Sequence, residues 1–457
     1  MPTTLDCDLL RDLYGTDELR AVFDSRALVQ AWLDVEVALA YAEAEVGVIP
    51  ESAAKRIERE AVVEKFDLAA LRAEIETTKH PLVPLIRTLV ERCSDEGGWV
   101  HWGATTQDII DTALSLQVRT ALGPILRDLG RATRAAAELA RRYARTPMAG
   151  RTHGQHAVPI TFGLKAATWA DELDRCSARL EAAAEGAGTT QLWGAAGTFA
   201  TLGADAAAVQ KAFARRLGLA YAHVHWHATR DRLRDLCHAL DEIASAGERV
   251  AAEIVRLQAT EIAELAEPAG EGHVGSSTMP QKRNPMTCEY VIATAHLLRA
   301  ATSAVSRAPA HAYERDMGYW AIEWLALPQS LILCGGLLDK LALVLEGLQI
   351  DPMRMRANLD LTEGQIMAEA VMMNLGRAIG HEQAHHLVHQ AVRRCIQEGR
   401  TLAEVLADHP DLSQHLTRQE LDAIMDPFSY LGIAGESAEA VSQKILARGD
   451  RTSADRP

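Results

Sequence analysis

Helical periodicity sustained far beyond the length of an ordinary globular helix is the feature that most restricts this chain. In residues 27–47, ALVQAWLDVEVALAYAEAEVG, apolar side chains recur three and four apart until Gly47 and Pro50 interrupt them. Comparable patterns cover 109–145, 160–187, 205–218, 230–266, 286–307 and 318–349. Several run well past the roughly 11–12 residues of a typical helix. Long helices with wide apolar stripes and polar faces suit a bundle whose helices meet those of other subunits. Strand-like alternation is scarce, so the expected fold class is all-α. Lys and Arg number 47 against 62 Asp and Glu, a net charge of −15, which argues against nucleic acid or an anionic membrane as partner. No run of about 18 uncharged apolar residues is found, so no transmembrane helix is expected. The start, MPTTLDCDLLRD, lacks the apolar core of a secretory signal. Seven scattered cysteines without a CxxC pair make a reduced, cytoplasmic protein the default. The polar tail after residue 447 is expected to fray.

Three polar, glycine-containing segments separate the long helices: 99–108 (WVHWGATTQD), 149–163 (AGRTHGQHAVPITFG) and 271–285 (EGHVGSSTMPQKRNP). Polar loops between rigid helices are where binding groups tend to sit. The third offers the hydroxyls of Ser276, Ser277 and Thr278, the cations Lys282 and Arg283, and the amide of Asn284. Gly272 and Gly275 permit close backbone approach. Such a loop can hold one carboxylate through Lys282 and Asn284 and offer backbone N–H groups to another. A serine among cations can exchange a proton if its alkoxide is stabilised. On composition alone, a solvated basic turn is the competing reading.

In the second segment His153 and His156 lie three apart, either as imidazole acid/base groups or as satisfied histidines of a loop leading into a helix. In the first, His101, Thr105 and Thr106 can donate to an anion, and the threonines can equally cap a helix. Lys79 and His80 precede Pro81, a loop position that carries a cation. The run His381–His385, HEQAH, fits the zinc-protease pattern HExxH. It lacks the longer HxxGxxH continuation and reads as a polar helix surface, so no metal is expected.

The run GSSTMPQKRNP (275–285) closely resembles the signature loop of the fumarase/aspartase superfamily, which includes aspartase, argininosuccinate lyase, adenylosuccinate lyase and 3-carboxy-cis,cis-muconate cycloisomerase. VHWGATTQD and GRTHGQHAVPITFG resemble its other two signature regions, in the expected order. The resemblance spans nearly the whole chain. It implies a three-domain, mostly helical fold: 1–108, a central long-helix bundle 109–355 carrying the signature loop, and 356–457. It further implies a homotetramer with a twenty-helix core, in which each active site draws one signature segment from each of three subunits.

The scaffold resembles the cycloisomerase most, in LYGTDELRAVFDSRALVQAWLDVEVALA, WGATTQDIIDT, ERDMGYWAIEWLALP (314–328), QIMAEAVMMNLG (365–376) and DPFSYLG (426–432). The catalytic positions instead resemble adenylosuccinate lyase. His153 stands where cycloisomerases carry the tryptophan of RTWLQ, Glu289 where they carry a small residue, and Thr78-Lys79-His80 where they carry a Gly-Asn stretch. Adenylosuccinate itself does not fit. Leu361, Ala368 and Ala370 stand where that lyase holds the nucleotide phosphate with arginines and a serine, and Trp226 replaces a glutamine. A dianion buried there would lack partners, at a cost of several kcal/mol.

What the resemblance implies is a cofactor-independent carbon–heteroatom lyase acting on a small dicarboxylate, a substituted succinate that yields fumarate. Ser276 is the base, acting as an alkoxide in a closed, dry, cationic loop. His153 is the acid, tuned by Glu289, and His80 assists at the leaving group. Lys282, Asn284, Ser277 and the backbone around Thr278 and Met279 stabilise the aci-carboxylate. Lys79, Thr105, Thr106 and Gln155 grip the second carboxylate. The pocket is expected between Tyr14, Trp226, Tyr319 and the His80 segment. A cycloisomerase is the alternative, and a silent scaffold protein is disfavoured by the intact Ser276, His153, Lys282, Asn284 and Glu289 set.

Overall fold

The computed structural model describes residues 7–268, 279, 281–308, 311–410, 412 and 414–452. The chain opens with α1 (Asp17–Phe23), α2 (Ser25–Val46), α3 (Glu51–Glu60), α4 (Leu68–Thr78) and α5 (Val83–Cys93). Five long helices follow: α6 (Thr106–Arg142), α7 (Phe162–Ala187), α9 (Asp231–Gln258), α10 (Met286–Ser306) and α11 (Met317–Gly347), with the shorter α8 (Ala206–Leu217) between α7 and α9. Six more complete it: α12 (Pro352–Leu359), α13 (Ala368–Ile379), α14 (His381–Glu398), α15 (Leu402–Ala407), α16 (Arg418–Ile424) and α17 (Ala434–Thr452). Among the described residues, strands form only two antiparallel pairs, β1 (Pro147–Thr152) with β2 (Gln155–Thr161) and β3 (Leu265–Ala266) with β4 (Gln349–Ile350). The fold is the expected all-α one.

Local chemistry explains the helix ends. The Asp24 carboxylate accepts the Ala27 N–H at 2.8 Å and starts α2, and Gly47 ends it in the left-handed region at φ 87°. Asp67 accepts the N–H groups of Ala69 and Ala70 to start α4. Lys79 closes α4 with φ 55°, a conformation uncommon outside glycine, and turns the chain into His80-Pro81. The pattern over 230–266 overran the helix, which stops at Gln258. There Arg354 and Asn358 donate to the carbonyls of Glu261 and Ile262, drawing those groups out of any helical ladder.

By contacts the chain divides into two compact units: Met1–Leu129 with Arg175–Glu248 and Tyr290–Asp339, and Gly130–Asp174 with Arg249–Glu289 and Lys340–Pro457. The first buries Trp32, Leu33, Val35 and Leu39 of α2 against Leu85, Leu89, Ile109, Ile110, Phe199 and Phe213. Each such side chain contributes about 1.5–3 kcal/mol. The second has one cluster around Val371, Leu387, Leu402 and Leu406, and another joining Ala149 to Leu359, Ile366 and Met367. One helix, α11, is long and apolar enough by length and composition to cross a membrane. Its Leu331, Leu333, Cys334, Leu337 and Leu338 are fully buried, as in a core helix surrounded by protein. All seven cysteines are free thiols.

Candidate active site

In the first unit, the segment 99–108 leads into α6. His101 takes φ 58° and Gly103 φ 73°, where a Cβ would meet Thr201 Oγ1 at 2.9 Å. The turn is held from beneath by Asp108, fully buried. Its carboxylate accepts the N–H groups of Thr105 (3.0 Å), Trp193 (3.0 Å) and Gly194 (2.8 Å) and pairs with His227 Nε2 at 2.9 Å. One turn further along α6, Asp111 accepts from Arg230 at 2.7 and 3.0 Å, Trp320 Nε1 at 2.8 Å and Gln107 at 3.1 Å. Arg230 also bonds Glu323 and lies 4.6 Å from the Trp226 ring. Burial alone would lower the Arg230 pKa; Asp111 and Glu323 overcome it and hold the guanidinium above the ordinary arginine range.

On that support stand Thr105 and Thr106, half-buried, and beside them His80. The Val83 N–H faces His80 Nδ1 at 3.4 Å, and Nε2 lies 3.4 Å from Thr106 Oγ1. An acceptor role for Nδ1 puts the proton on Nε2, so His80 is set to donate toward Thr106. Burial, then the nearby His101, lowers the His80 pKa and keeps the ring neutral. His101 goes the other way. Burial opposes its charge, but the buried Glu36 carboxylate at 2.6 Å from Nδ1 raises its pKa. Lys79 is exposed.

In the second unit, the segment 149–163 is a β-hairpin rather than the loop its composition suggested. Thr152 pairs with Gln155, leaving His153 and Gly154 as a two-residue turn with φ 54° and 74°. Two successive positive φ values match the twist of the flanking strands, and Gly154 supplies one at no steric cost. The hairpin is fastened two residues before the turn. Arg151 forms a two-pronged pair with the fully buried Glu264 at 3.0 and 2.6 Å, and Asn358 bonds the same carboxylate at 2.8 Å. His153 and Gln155 are exposed at the tip. His156 is half-buried, with its pKa lowered by burial and then by Arg151.

Of the third segment, Ser276, Ser277 and Thr278 lie outside the described residues. Its base is anchored. The buried Glu267 carboxylate caps α10 by accepting the N–H groups of Thr287 and Cys288. Arg283 donates to the Glu267 carbonyl at 2.8 Å and to Gln349 at 3.2 Å, and Gln258 donates to the Arg283 carbonyl at 3.1 Å. Arg283 is thereby a structural tie; both it and Lys282 are exposed. The Lys282 N–H donates to the Met279 carbonyl at 3.0 Å, and Met279 is 42% exposed. Asn284 is half-buried, and Glu289 stands exposed in the first turn of α10.

Residues 14–298 match the family profile described as Lyase, and 364–441 match the one described as Adenylosuccinate lyase C-terminus. A 3-carboxy-cis,cis-muconate cycloisomerase of Bradyrhizobium diazoefficiens is 39% identical over 96% of this chain and 97% of the relative. An N-acetyl-S-(2-succino)cysteine lyase of Dickeya dadantii is 35% identical over 96% of both. The crystal structure of 3-carboxy-cis,cis-muconate lactonizing enzyme from Pseudomonas putida superposes with a TM-score of 0.90 at 36% identity, covering 96% of this chain and 99% of that one. The chain belongs to the fumarase/aspartase lyase superfamily. It is an enzyme of that superfamily, whose members act on small dicarboxylates.

The superfamily's three signature segments thus fall on different supports. The first unit brings His80 beside Thr106 and carries Lys79 and Thr105 next to them in the chain; the second carries His153 and Gln155 on the hairpin and Lys282, Asn284 and Glu289 at the foot of the third segment. Among the described residues of the single chain, neither His153 nor Glu289 has a hydrogen-bonded or ion-paired side-chain partner. Trp226 is not available to line a pocket: it is 1% exposed, with its indole N–H bonded to the Thr190 carbonyl at 3.0 Å. Tyr14 is half-buried with its ring edge-on to Tyr290, and Tyr319 is 38% exposed. Sequence reasoning passed over Asp108, Asp111, His227, Arg230 and Glu323. The only signal was a pair of acids three apart in TTQDIID, spaced to share one helix face. His381, His385 and His389 stack along α14, and no group of three or more metal-ligating side chains forms among the described residues.

Proposed function

We propose that the enzyme releases fumarate from a succinate carrying a nitrogen or sulfur substituent at C2. The observation that carries this reading is His153: an exposed imidazole at the tip of a hairpin whose backbone is fixed by the Arg151–Glu264 pair. Such a group can meet a leaving atom while its position stays set. Ser276 as alkoxide takes a proton from C3. The C–H electron pair spreads into the adjoining carboxylate, held by Lys282, Asn284 and backbone N–H groups around Thr278 and Met279. That pair then forms the C2–C3 double bond as the C2–heteroatom bond breaks, and the departing atom takes a proton from His153. The net change is one proton moved from carbon to the leaving group, with Glu289 maintaining the imidazole's basicity. The substrate carboxylate is the electron sink, so the scheme draws on no cofactor or metal.

Lys79, Thr105, Thr106 and Gln155 bind the second carboxylate in this scheme. His80 donates through Nε2 near the leaving group. The active site is assembled from three subunits of a homotetramer, which accounts for His153 and Glu289 lacking side-chain partners among the described residues of one chain. Mixing inactive His153→Gln and Ser276→Ala chains and reassembling them would then restore part of the activity; no recovery would refute shared sites.

A second reading is a 3-carboxy-cis,cis-muconate cycloisomerase, supported by the 39% identity to the Bradyrhizobium relative so named. Incubation with N-acetyl-S-(2-succino)cysteine and with N-substituted succinates, following fumarate by its ultraviolet absorbance, separates the two. Fumarate release that disappears in His153→Gln is expected. Turnover of 3-carboxy-cis,cis-muconate alone would establish the cycloisomerase instead.

A further inference from the structure

Helix α14 carries a histidine motif that the reaction does not use. Four of the nine residues from His381 to His389 are histidines, against 17 in the 457 of the whole chain, about one in 27. Packing fixes which way they face. Gly380, at φ 84°, precedes the helix, and Ala384, Leu387, Val388, Ala391 and Cys395 bury its other side in the core of the second unit. His381, His385 and His389 are exposed, at the four-residue spacing that sets side chains one above the next. Their rings run side by side, with centroids 6.5 and 6.2 Å apart and planes inclined by 23° and 15°. None of the three has a hydrogen-bonded or ion-paired partner among the described residues, so each ring is free to turn toward its neighbour. His386 is already bonded through Nε2 to Gln390 at 2.8 Å.

Two imidazoles one turn apart on a rigid helix chelate a divalent ion, the arrangement on which HExxH zinc sites are built. Among the described residues no third metal-ligating side chain converges with them. A hydrolytic zinc centre with three protein ligands is therefore not formed, and an ion held by two rings takes its remaining positions from water. An open hollow of about 730 Å³ against Gly380, His381, His385 and His386 leaves room for those waters. Neutral nitrogen donors suit the late first-row ions, Cu²⁺ above Ni²⁺ and Zn²⁺, and offer little to Mg²⁺ or Ca²⁺, which take oxygen ligands. We propose that α14 is a surface site for one late first-row divalent ion, held by His385 together with either His381 or His389. His385 belongs to both pairs, so they cannot fill at once, and each chain binds a single ion. Bound there, the ion ties successive turns of α14 together and stabilises the folded chain by mass action. The site is independent of the lyase reading.

The test titrates the untagged full chain with Ni²⁺ in a calorimeter. His385→Asn destroys both pairs and should weaken binding about tenfold or more, because the second imidazole binds as an intramolecular step that a lone ring cannot supply. The double variant His381→Asn/His389→Asn also leaves a lone ring and should show the same loss. Either end substitution by itself spares one of the two overlapping pairs and should cost only about twofold. His386→Asn should bind as the wild type does. All four positions are exposed on the helix, so the variants should keep its far-ultraviolet dichroism. With Cu²⁺, electron paramagnetic resonance should show two nitrogen donors in the wild type and one in His385→Asn. Absence of Ni²⁺ binding by the wild type, or equal binding by His385→Asn, overturns the proposal. So does a tenfold loss in His386→Asn, or displacement of Ni²⁺ by an equal concentration of Mg²⁺.

Discussion

The first signature segment and the hairpin that carries His153 are built on opposite plans. Beneath Thr105 and Thr106, Asp108 and Asp111 are buried and saturated with donors, and Arg230 sits between two carboxylates. At the hairpin the His153 ring is exposed and, among the described residues, unpaired, and the bracing lies two residues away at Arg151 and Glu264. Groups that hold a carboxylate by fixed direction gain from rigid support, since preorganised donors need no rearrangement as charge develops. On the proposed reading, a proton donor must reach a partner supplied from elsewhere, so its ring is left uncommitted while its backbone is not. The contrast teaches that binding and proton transfer draw on stability differently.

Replacing His153 should sharpen the contrast most. His153→Gln should cut kcat on an amine-releasing substrate by about 10²–10⁴-fold, with an unchanged thermal unfolding midpoint because the side chain is exposed and unpaired. The loss should be smaller for a thioether, since a thiolate (thiol pKa about 8.5) can leave without a proton, whereas a neutral amine would have to leave as a far more basic amide anion. Equal losses for both leaving groups would deny His153 the acid role. In the first region the order should reverse. Asp111→Asn leaves Arg230 underpaired and should cost about 3–5 kcal/mol of stability in denaturant unfolding, with activity falling only as the folded fraction falls. A loss below about 1 kcal/mol would break the comparison.

Glu43 offers a pH test within the first unit. It lies on α2 with Glu36, fully buried, with both oxygens unpaired. Burial, then the neighbouring Glu36, pushes its pKa from 4.5 up to about 9. The unfolded chain loses this proton near pH 4.5 and the folded chain near 9, so the native state binds the extra proton across that window. Stability should therefore fall as pH rises from about 4.5 to 9, and Glu43→Gln should remove that slope. The variant should be more stable at pH 8, by an amount of order 1 kcal/mol or more, and indistinguishable below pH 4. An unchanged slope would show that the carboxyl finds a partner in solution. Smallest of all, Glu74→Gln, which breaks the exposed pair with Arg87, should shift stability by less than about 1 kcal/mol.

The long helices were readable in the sequence because their stripes repeat every three to four residues for many turns. Gly47 and the Gln258 stop show the limits of that reading. A left-handed glycine cap has a local signature, whereas the end of α9 is imposed by Arg354 and Asn358, nearly a hundred residues away. The hairpin was missed because its strands are short and rich in glycine and proline, and its turn is His-Gly rather than Asn-Gly. The three signature segments were legible as those of the superfamily through their resemblance to its known signatures. Their buried supports were not, since an arginine such as Arg230 looks like any surface cation until folding places it between Asp111 and Glu323.

The His153-Gly154 turn carries an evolutionary consequence. Its backbone is dictated by the strand register and by Gly154, so position 153 can change identity without disturbing the surrounding architecture. On the proposed mechanism, an imidazole there lets a bond to nitrogen or sulfur be cleaved, and a ring that cannot donate a proton would leave the rest of the machinery to rearrange rather than release. A single codon at a hairpin tip is thus a natural point of divergence, where one inherited framework can be turned from one reaction to another.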